Sequence, residues 1–241
     1  MTDRGEGALR QTNDTFEVGP SKLRWLGDRL EIDIDEISSL PLVSRVKGKI
    51  TVRPTGLTDV ELPLHPKGTH IWRPFAPTAD IEVDLNRGWQ WTGHGDFDAN
   101  FGTRAVEDDF SYWTWGRFPT REGSACFYDA VRRDGSELAV GLAFDRDGHA
   151  HTMKMPPLTR FNRSLWAVKR ETRADPDYRP RQVKAMLDAP FYSRSAIRTQ
   201  IHGEETVGVH EALDLNRFAS PLLKPMLAVR VPRRPGWTFP D

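Results

Sequence analysis

Apolar and polar residues alternate strictly over residues 30–35 (Leu-Glu-Ile-Asp-Ile-Asp) and again over residues 81–85, which is the period of a strand with one face buried and the other in water. Looser alternation predicts further strands over residues 49–52, 89–91, 124–129, 137–144, 164–171, 197–202 and 206–213. Between them fall the turn-forming groups Gly27-Asp28, Pro54-Thr55-Gly56, Pro66-Lys67-Gly68, Asn86-Arg87-Gly88, Asp134-Gly135 and Asp147-Gly148, spaced as in an antiparallel meander. Helical periodicity is confined to residues 181–187, bounded by Pro190, and to residues 215–227, which Pro221 and Pro225 interrupt. The pattern predicts a mainly β protein, in sandwich or barrel form, with one or two short helices. Pro156-Pro157 marks the expected boundary between a first half, residues 1–155, and a second, residues 156–241, whose end from Arg230 reads as an extended tail.

With 241 residues the chain can bury a sizeable core. Its 34 basic and 34 acidic side chains cancel, so no overall field draws it to nucleic acid. Cys126 is the one cysteine; it lies in an apolar run with no thiol to pair with, which fits a buried structural thiol in a reducing compartment. No run of about 18 apolar residues is present to span a bilayer. The protein is expected to be cytoplasmic, soluble or peripheral. Eight Trp and twelve Phe are many large rings for so polar a chain, and they could fill a core or line a pocket.

The densest group of chemically able side chains is the stretch from Trp91 through His94, Asp96, Asp98 and Asn100 to Gly102. In an extended chain those four polar residues share one face, while Phe97 and Phe101 point the other way. A pocket wall, a solvated outer face with Asx turns, and a metal site of His and Asp at period two all fit that spacing. Upstream, His70 and Trp72 share a face; downstream, Trp113 and Trp115 do. Trp166, Phe191 and Tyr192 fit either core or pocket. His149 with His151, and His202 with His210, are further spaced pairs with nothing nearby to complete a site. No glycine-rich phosphate loop, Cys-x-x-Cys, His-Glu-x-x-His or Gly-x-Ser-x-Gly motif occurs. Carboxylates, imidazoles and aromatics remain, a set suited to proton transfer onto an apolar substrate, and with no such motif no cofactor is expected.

At these residues the chain closely resembles the carotenoid 1,2-hydratases, or hydroxyneurosporene synthases, of purple phototrophic bacteria. The stretches that carry the resemblance are His70-x-Trp72-x-Pro74-x-Ala76-Pro77, Gly95-x-x-Asp98-Ala99-Asn100-Phe101-Gly102, Tyr112-Trp113-Thr114-Trp115-Gly116-Arg117, Arg163-Ser164-Leu165-Trp166, residues 186–194 from Met186 to Arg194, and residues 210–215 from His210 to Leu215. The resemblance runs nearly the whole length. It implies a lipocalin-like fold of two packed β-barrel or sandwich halves, and hydration of neurosporene or lycopene across C1 and C2 in spheroidene or spirilloxanthin synthesis.

The family's catalytic set, a His-x-Trp pair and a Tyr-x-Asp pair, falls on His70, Trp72 and Asp98, with Asp96 standing where the family has Tyr. Asp98 is then the expected acid, made protonatable by burial and by a second carboxylate at Asp96. His70 would hydrogen-bond or reprotonate it, and Trp72, Trp113 and Trp115 would stabilise a cation, with Phe101, Phe191 and Tyr192 also lining the substrate. The resemblance implies an acyclic carotene as partner and peripheral contact with the photosynthetic membrane. Family members usually carry a further segment ahead of the part matching Met1 to Arg4, and strands lost with it would leave an edge uncovered. A carotenoid or lipid carrier, and a cyclase using the same cavity without water, are the rival functions.

Overall fold

A computed structural model describes residues 6–37 and 43–223. Contacts group them into two compact units, one of residues up to Thr55 with Ala79–Asp96, the other of Gly56–Thr78 with Phe97–Leu223. Both are built almost wholly of strands, as the alternation predicts.

The first unit begins with a meander of β1 (Leu9–Gln11), β2 (Thr15–Val18), β3 (Ser21–Trp25), β4 (Leu30–Ile37) and β5 (Arg45–Gly56), each pairing antiparallel with the next. Beyond β6 (Leu62–Pro63), which belongs to the second unit, β7 (His70–Leu85) starts in the second unit and ends in the first. The chain returns through β8 (Trp89–Gly102), which pairs with β7, and β7 in turn follows β5 in the sheet. Leu30, Val52 and Ala79 are the buried centre of this unit, with Leu23, Trp25, Ile32, Ile50 and Ile81 packed round them. The polar face of β4 is laced across strands: Glu31 meets Lys49 at 3.0 Å, and Asp33 meets Arg24 at 2.9 Å. Gly48, at φ +147, lies where a Cβ would come within 2.2 Å of the Asp84 carbonyl oxygen, so no side chain fits there.

The second unit continues through α1 (Val106–Asp109), β9 (Phe110–Pro119), β10 (Gly123–Arg132), β11 (Glu137–Asp145), β12 (Ala150–Thr152), β13 (Leu158–Phe161), β14 (Arg170–Arg173), β15 (Arg181–Asp188), β16 (Tyr192–Ile201), β17 (Glu204–Asp214) and α2 (Leu215–Phe218). Seven strands form one antiparallel sheet in the order β12-β11-β10-β9-β17-β16-β15, while β13 and β14 pair separately. One face carries Trp115, Cys126, Tyr128 and Ala130, packed with Trp72, Phe110 and Phe144. The other carries Phe118, Ala125, Phe127 and Ile197, with Met153, Met155 and Phe161 against them. Cys126 is buried, as its apolar run predicts. Among the described residues neither large sheet closes into a barrel.

Four expectations about local structure are corrected. Residues 181–187 are not helical but strand β15, paired with β16. Its register skips Val183 and Met186, so two bulges shift the alternation and leave Val183, Met186 and Leu187 at a spacing that imitates a helix. Residues 164–169 form a turn rather than a strand: the Ala167 amide donates to the Ser164 carbonyl at 2.9 Å, and Ala167 sits at φ +58. Pro54-Thr55-Gly56 lies within the end of β5 instead of making a turn. Helix α2 is a single turn, capped by the Asp214 side chain accepting from the Arg217 amide at 3.0 Å. The rest of the expected helix beyond Leu223, and the tail from Arg230, lie outside the described residues.

Candidate active site

Alternation along the start of β7 buries His70, Trp72, Pro74 and Ala76 in the second unit. Only 2% of Trp72 is exposed, yet its indole N–H finds a partner: Nε1 donates to Oδ2 of Asp98 on β8 at 2.6 Å. Two residues on, Asn100 accepts the Tyr128 hydroxyl at 3.1 Å. His70 bonds a different carboxylate, donating from Nε2 to Oδ2 of Asp109 at 3.0 Å, where Thr69 also donates its hydroxyl at 2.7 Å and Arg104 pairs at 3.1 Å. Burial pushes the Asp109 carboxyl up, but the Thr69 hydroxyl, Arg104 and the neighbouring histidines outweigh it and hold the group below its ordinary value. Gly102 permits this packing, since a Cβ there would lie 2.7 Å from His70 Nδ1 and 2.4 Å from the Thr69 backbone carbonyl oxygen.

The wall beside Trp72 is one face of the seven-stranded sheet. Residues directly opposite on antiparallel strands share a face, so the register builds rows. Tyr128, Trp115, Glu211 and Arg194 form one row across β10, β9, β17 and β16. Ala130, Trp113, Leu213 and Tyr192 form the row on one side of it, and Cys126, Arg117 and Val209 the row on the other. The Trp72 ring packs against Tyr128 with centroids 5.7 Å apart, and Tyr128 meets Trp113 edge-on at 6.0 Å. The Trp115 indole nitrogen is buried and meets no acceptor.

Burial raises the Asp98 carboxyl above its ordinary value, against the Trp72 N–H and the positive charges of Arg194 and Arg117. Glu211 is raised by burial as well, opposed by Arg194 and by the Tyr192 hydroxyl and assisted by the charge of Asp98. Arg194 Nη1 lies 2.9 Å from Glu211 Oε1. The Tyr128 hydroxyl is pushed far up by burial and by the charges of Asp98 and Glu211, so it stays protonated. The arrangement is a half-buried, protonatable carboxyl held by an indole N–H beside a face of aromatic rings, with a second carboxyl in the same electrostatic neighbourhood.

The residues singled out from the sequence are distributed as follows. Trp72 and Asp98 are brought into direct contact, and Trp113, Trp115 and Tyr192 lie on the sheet face described above. His70 is linked to that group by rings, through Phe110 at 5.3 Å and Phe110 to Trp113 at 6.0 Å, rather than by a bond to Asp98. Asp96 is half-buried on the part of β8 in the first unit. His94, in the same unit, is exposed and pairs with Asp80 at 3.3 Å. Phe101 is exposed and alternates away from Asp98, and Phe191 packs on Phe218 of α2 at 5.2 Å.

His149 and His151 both lie beside Asp145 at an exposed turn, whose Oδ1 accepts the backbone amides of Asp147 and His149. Asp145, Asp147 and His149 are the one cluster among the described residues close enough together to share an ion. His202 and His210 bond separate backbone carbonyls, those of Lys154 and Glu171. The sequence reading missed Asp109, Tyr128, Arg194 and Glu211 as site members. Glu211 and Arg194 both stand within the family-like stretches, and that was their available signal.

The family model described as carotenoid hydratase CrtC matches residues 1–240. A Cereibacter sphaeroides protein named acyclic carotenoid 1,2-hydratase is 64% identical over 239 residues, covering 99% of this chain and 86% of its own. A Rhodobacter capsulatus protein of the same name is 57% identical over 242 residues, covering 100% of this chain and 86% of its own. A crystal structure described as an AttH protein of Nitrosomonas europaea superposes with TM-score 0.57 at 12% identity, over 87% of this chain and 72% of that one, which establishes the expected lipocalin-like fold. The chain is a member of the CrtC carotenoid hydratase family.

Proposed function

We propose that this chain adds water across the terminal C1–C2 double bond of an acyclic carotene, neurosporene or lycopene, by acid catalysis. The observation that carries the reading is the half-buried Asp98 carboxyl, raised toward its protonated form and oriented by the Trp72 N–H at 2.6 Å. Protonating C2 of a trisubstituted alkene leaves a tertiary cation at C1, and the faces of Trp72, Trp113 and Trp115 stabilise it by about 2 kcal/mol where water is excluded. Water then bonds to C1 and loses a proton. A proton and a water are the only reactants needed, so the reading assigns no cofactor. His70 acts as a positioning residue: with Asp109 it anchors the start of β7, two residues ahead of the indole that holds the acid.

A carotene resides in a bilayer, and the same reading places the protein at the cytoplasmic membrane surface. Supporting it, Leu165, Trp166, Val183, Met186 and Leu187 are exposed, Leu165 to 90%. The Leu165 amide bonds the carboxylate of Asp188, which joins the 162–169 loop to β15 and gathers these side chains among exposed Arg163, Arg181 and Lys184. No helix among the described residues is long and apolar enough to cross a membrane.

The experiment is incubation of the purified protein with lycopene or neurosporene in detergent, with products identified by mass. A product heavier by one water is expected, and an isomer or unchanged bound pigment would refute the hydratase reading. Asp98→Asn should lower turnover at least about 100-fold while retaining pigment binding, because it removes only the transferable proton. Full activity in that variant would remove Asp98 from its role.

A further inference from the structure

Hydration needs a group that accepts the proton released when water bonds to the C1 cation. We infer that Glu211 is a second catalytic residue, the base that holds the attacking water and removes its proton; the inference rests on the hydratase reading above. Glu211 stands mid-row on the face that carries Tyr128, Trp115 and Arg194, the same aromatic face against which Trp72 places Asp98. Directly opposite it, Trp115 offers a buried indole N–H that no protein acceptor takes. That donor and the Glu211 carboxylate are the two complementary partners a water molecule requires.

The two carboxyls are not equivalent. Glu211 has Arg194 at 2.9 Å and the Tyr192 hydroxyl, which hold a negative charge on it. Asp98 accepts the neutral indole N–H of Trp72 and a backbone amide, and among the described residues no cation stands in ion-pair contact with it. The contact with Arg194 therefore favours the charge on Glu211 and leaves the proton to Asp98. In the cycle, the Asp98 O–H bond breaks as a C2–H bond forms, water oxygen bonds to C1, and the proton of that oxonium passes to Glu211. Its return to Asp98 restores the starting state, so net water is consumed and no redox change occurs.

The test uses the whole chain with lycopene in detergent micelles. Wild-type turnover should fall on the acid side as Glu211 becomes protonated, as well as on the alkaline side as Asp98 loses its proton. The other ionisable groups facing Glu211 are Arg194 and Tyr192 on β16, Arg117 on β9 and Tyr128 on β10, whose ordinary titration lies outside the acid range. Glu211→Gln should lower kcat about 100-fold with KM little changed and should abolish the acid limb. Glu211→Ala should recover activity on addition of formate or azide, and Glu211→Asp should keep the limb at reduced rate.

A Glu211→Gln enzyme with wild-type rate and limb would overturn the assignment, as would a loss equal at every pH that formate does not rescue. If the glutamine variant does not fold, Glu211→Asp with unchanged rate overturns it equally. Failure of the wild-type protein to hydrate any acyclic carotene would instead overturn the hydratase reading itself, and this inference with it.

Discussion

The indole N–H of Trp72 and the carboxyl of Asp98 meet at 2.6 Å beside a face of aromatic rings, and their pairing sets how readily that carboxyl keeps its proton. Burial raises the carboxyl and the Trp72 N–H opposes that rise by favouring the anion. The proposed acid catalysis uses the protonated form, so activity should be present below the raised pKa and lost as pH climbs through it. Trp72→Phe removes the donor and keeps a ring. The alkaline limb of the turnover profile should then move upward by about one unit, the worth of a hydrogen bond to a charged group. Turnover near neutrality should drop roughly tenfold from loss of orientation. An alkaline limb that stays in place would show that Asp98 is not the titrating acid.

A second prediction concerns stability. His210 is buried on the opposite face of the sheet, bonded through Nε2 to the Glu171 carbonyl at 2.9 Å and packed edge-on against Phe161. Burial, joined by the charge of Arg170, lowers its pKa to about 4. Above about 6.5 the ring is neutral folded or unfolded and contributes no pH dependence. As pH falls from there toward 4 only the unfolded chain takes up the proton, so the fold should lose roughly 3 kcal/mol from this group across that window. Denaturant melts at pH 7 and 4.5 should show the loss, and His210→Leu should reduce the difference. Equal pH dependence in the two proteins would acquit His210.

The third prediction is about the bilayer. Trp166→Ser together with Met186→Ser removes two large exposed side chains from the patch beside β15. Co-sedimentation with anionic lipid vesicles should weaken about tenfold or more, and high salt should weaken the wild type as well. Hydration of lycopene supplied in detergent should be spared. Unchanged vesicle binding would move the membrane contact to another surface.

Much of the fold was legible because one-sided burial writes a period into the chain: residues 30–35 lie in β4 and residues 81–85 in β7, just where alternation is strictest. Trp113 and Trp115 could be put on one side of a strand for the same reason. β15 was misread because its bulged residues Val183 and Met186 break the period on which such reading relies. The 164–171 stretch mixes large apolar and polar residues, but its turn depends on Ala167 adopting a left-handed conformation that its sequence does not announce. Asp98 and Trp72 were found through their motifs. Glu211 and Arg194 stayed hidden as site members because they become neighbours only through the pairing of β16 with β17, a relation between distant strands that local periodicity cannot express.

The two bulges of β15 also bear on whether a second molecule can pair with that edge of the sheet. β15 is the last strand of its sheet, with a row of apolar side chains in the open, and a regular strand of that kind invites a second molecule to add on. Two extra residues in eight twist the edge and put its unpaired amides out of step with any straight partner. Deleting Val183 would straighten half of that strand, and the result to expect is a chain that still folds but polymerises through its own border.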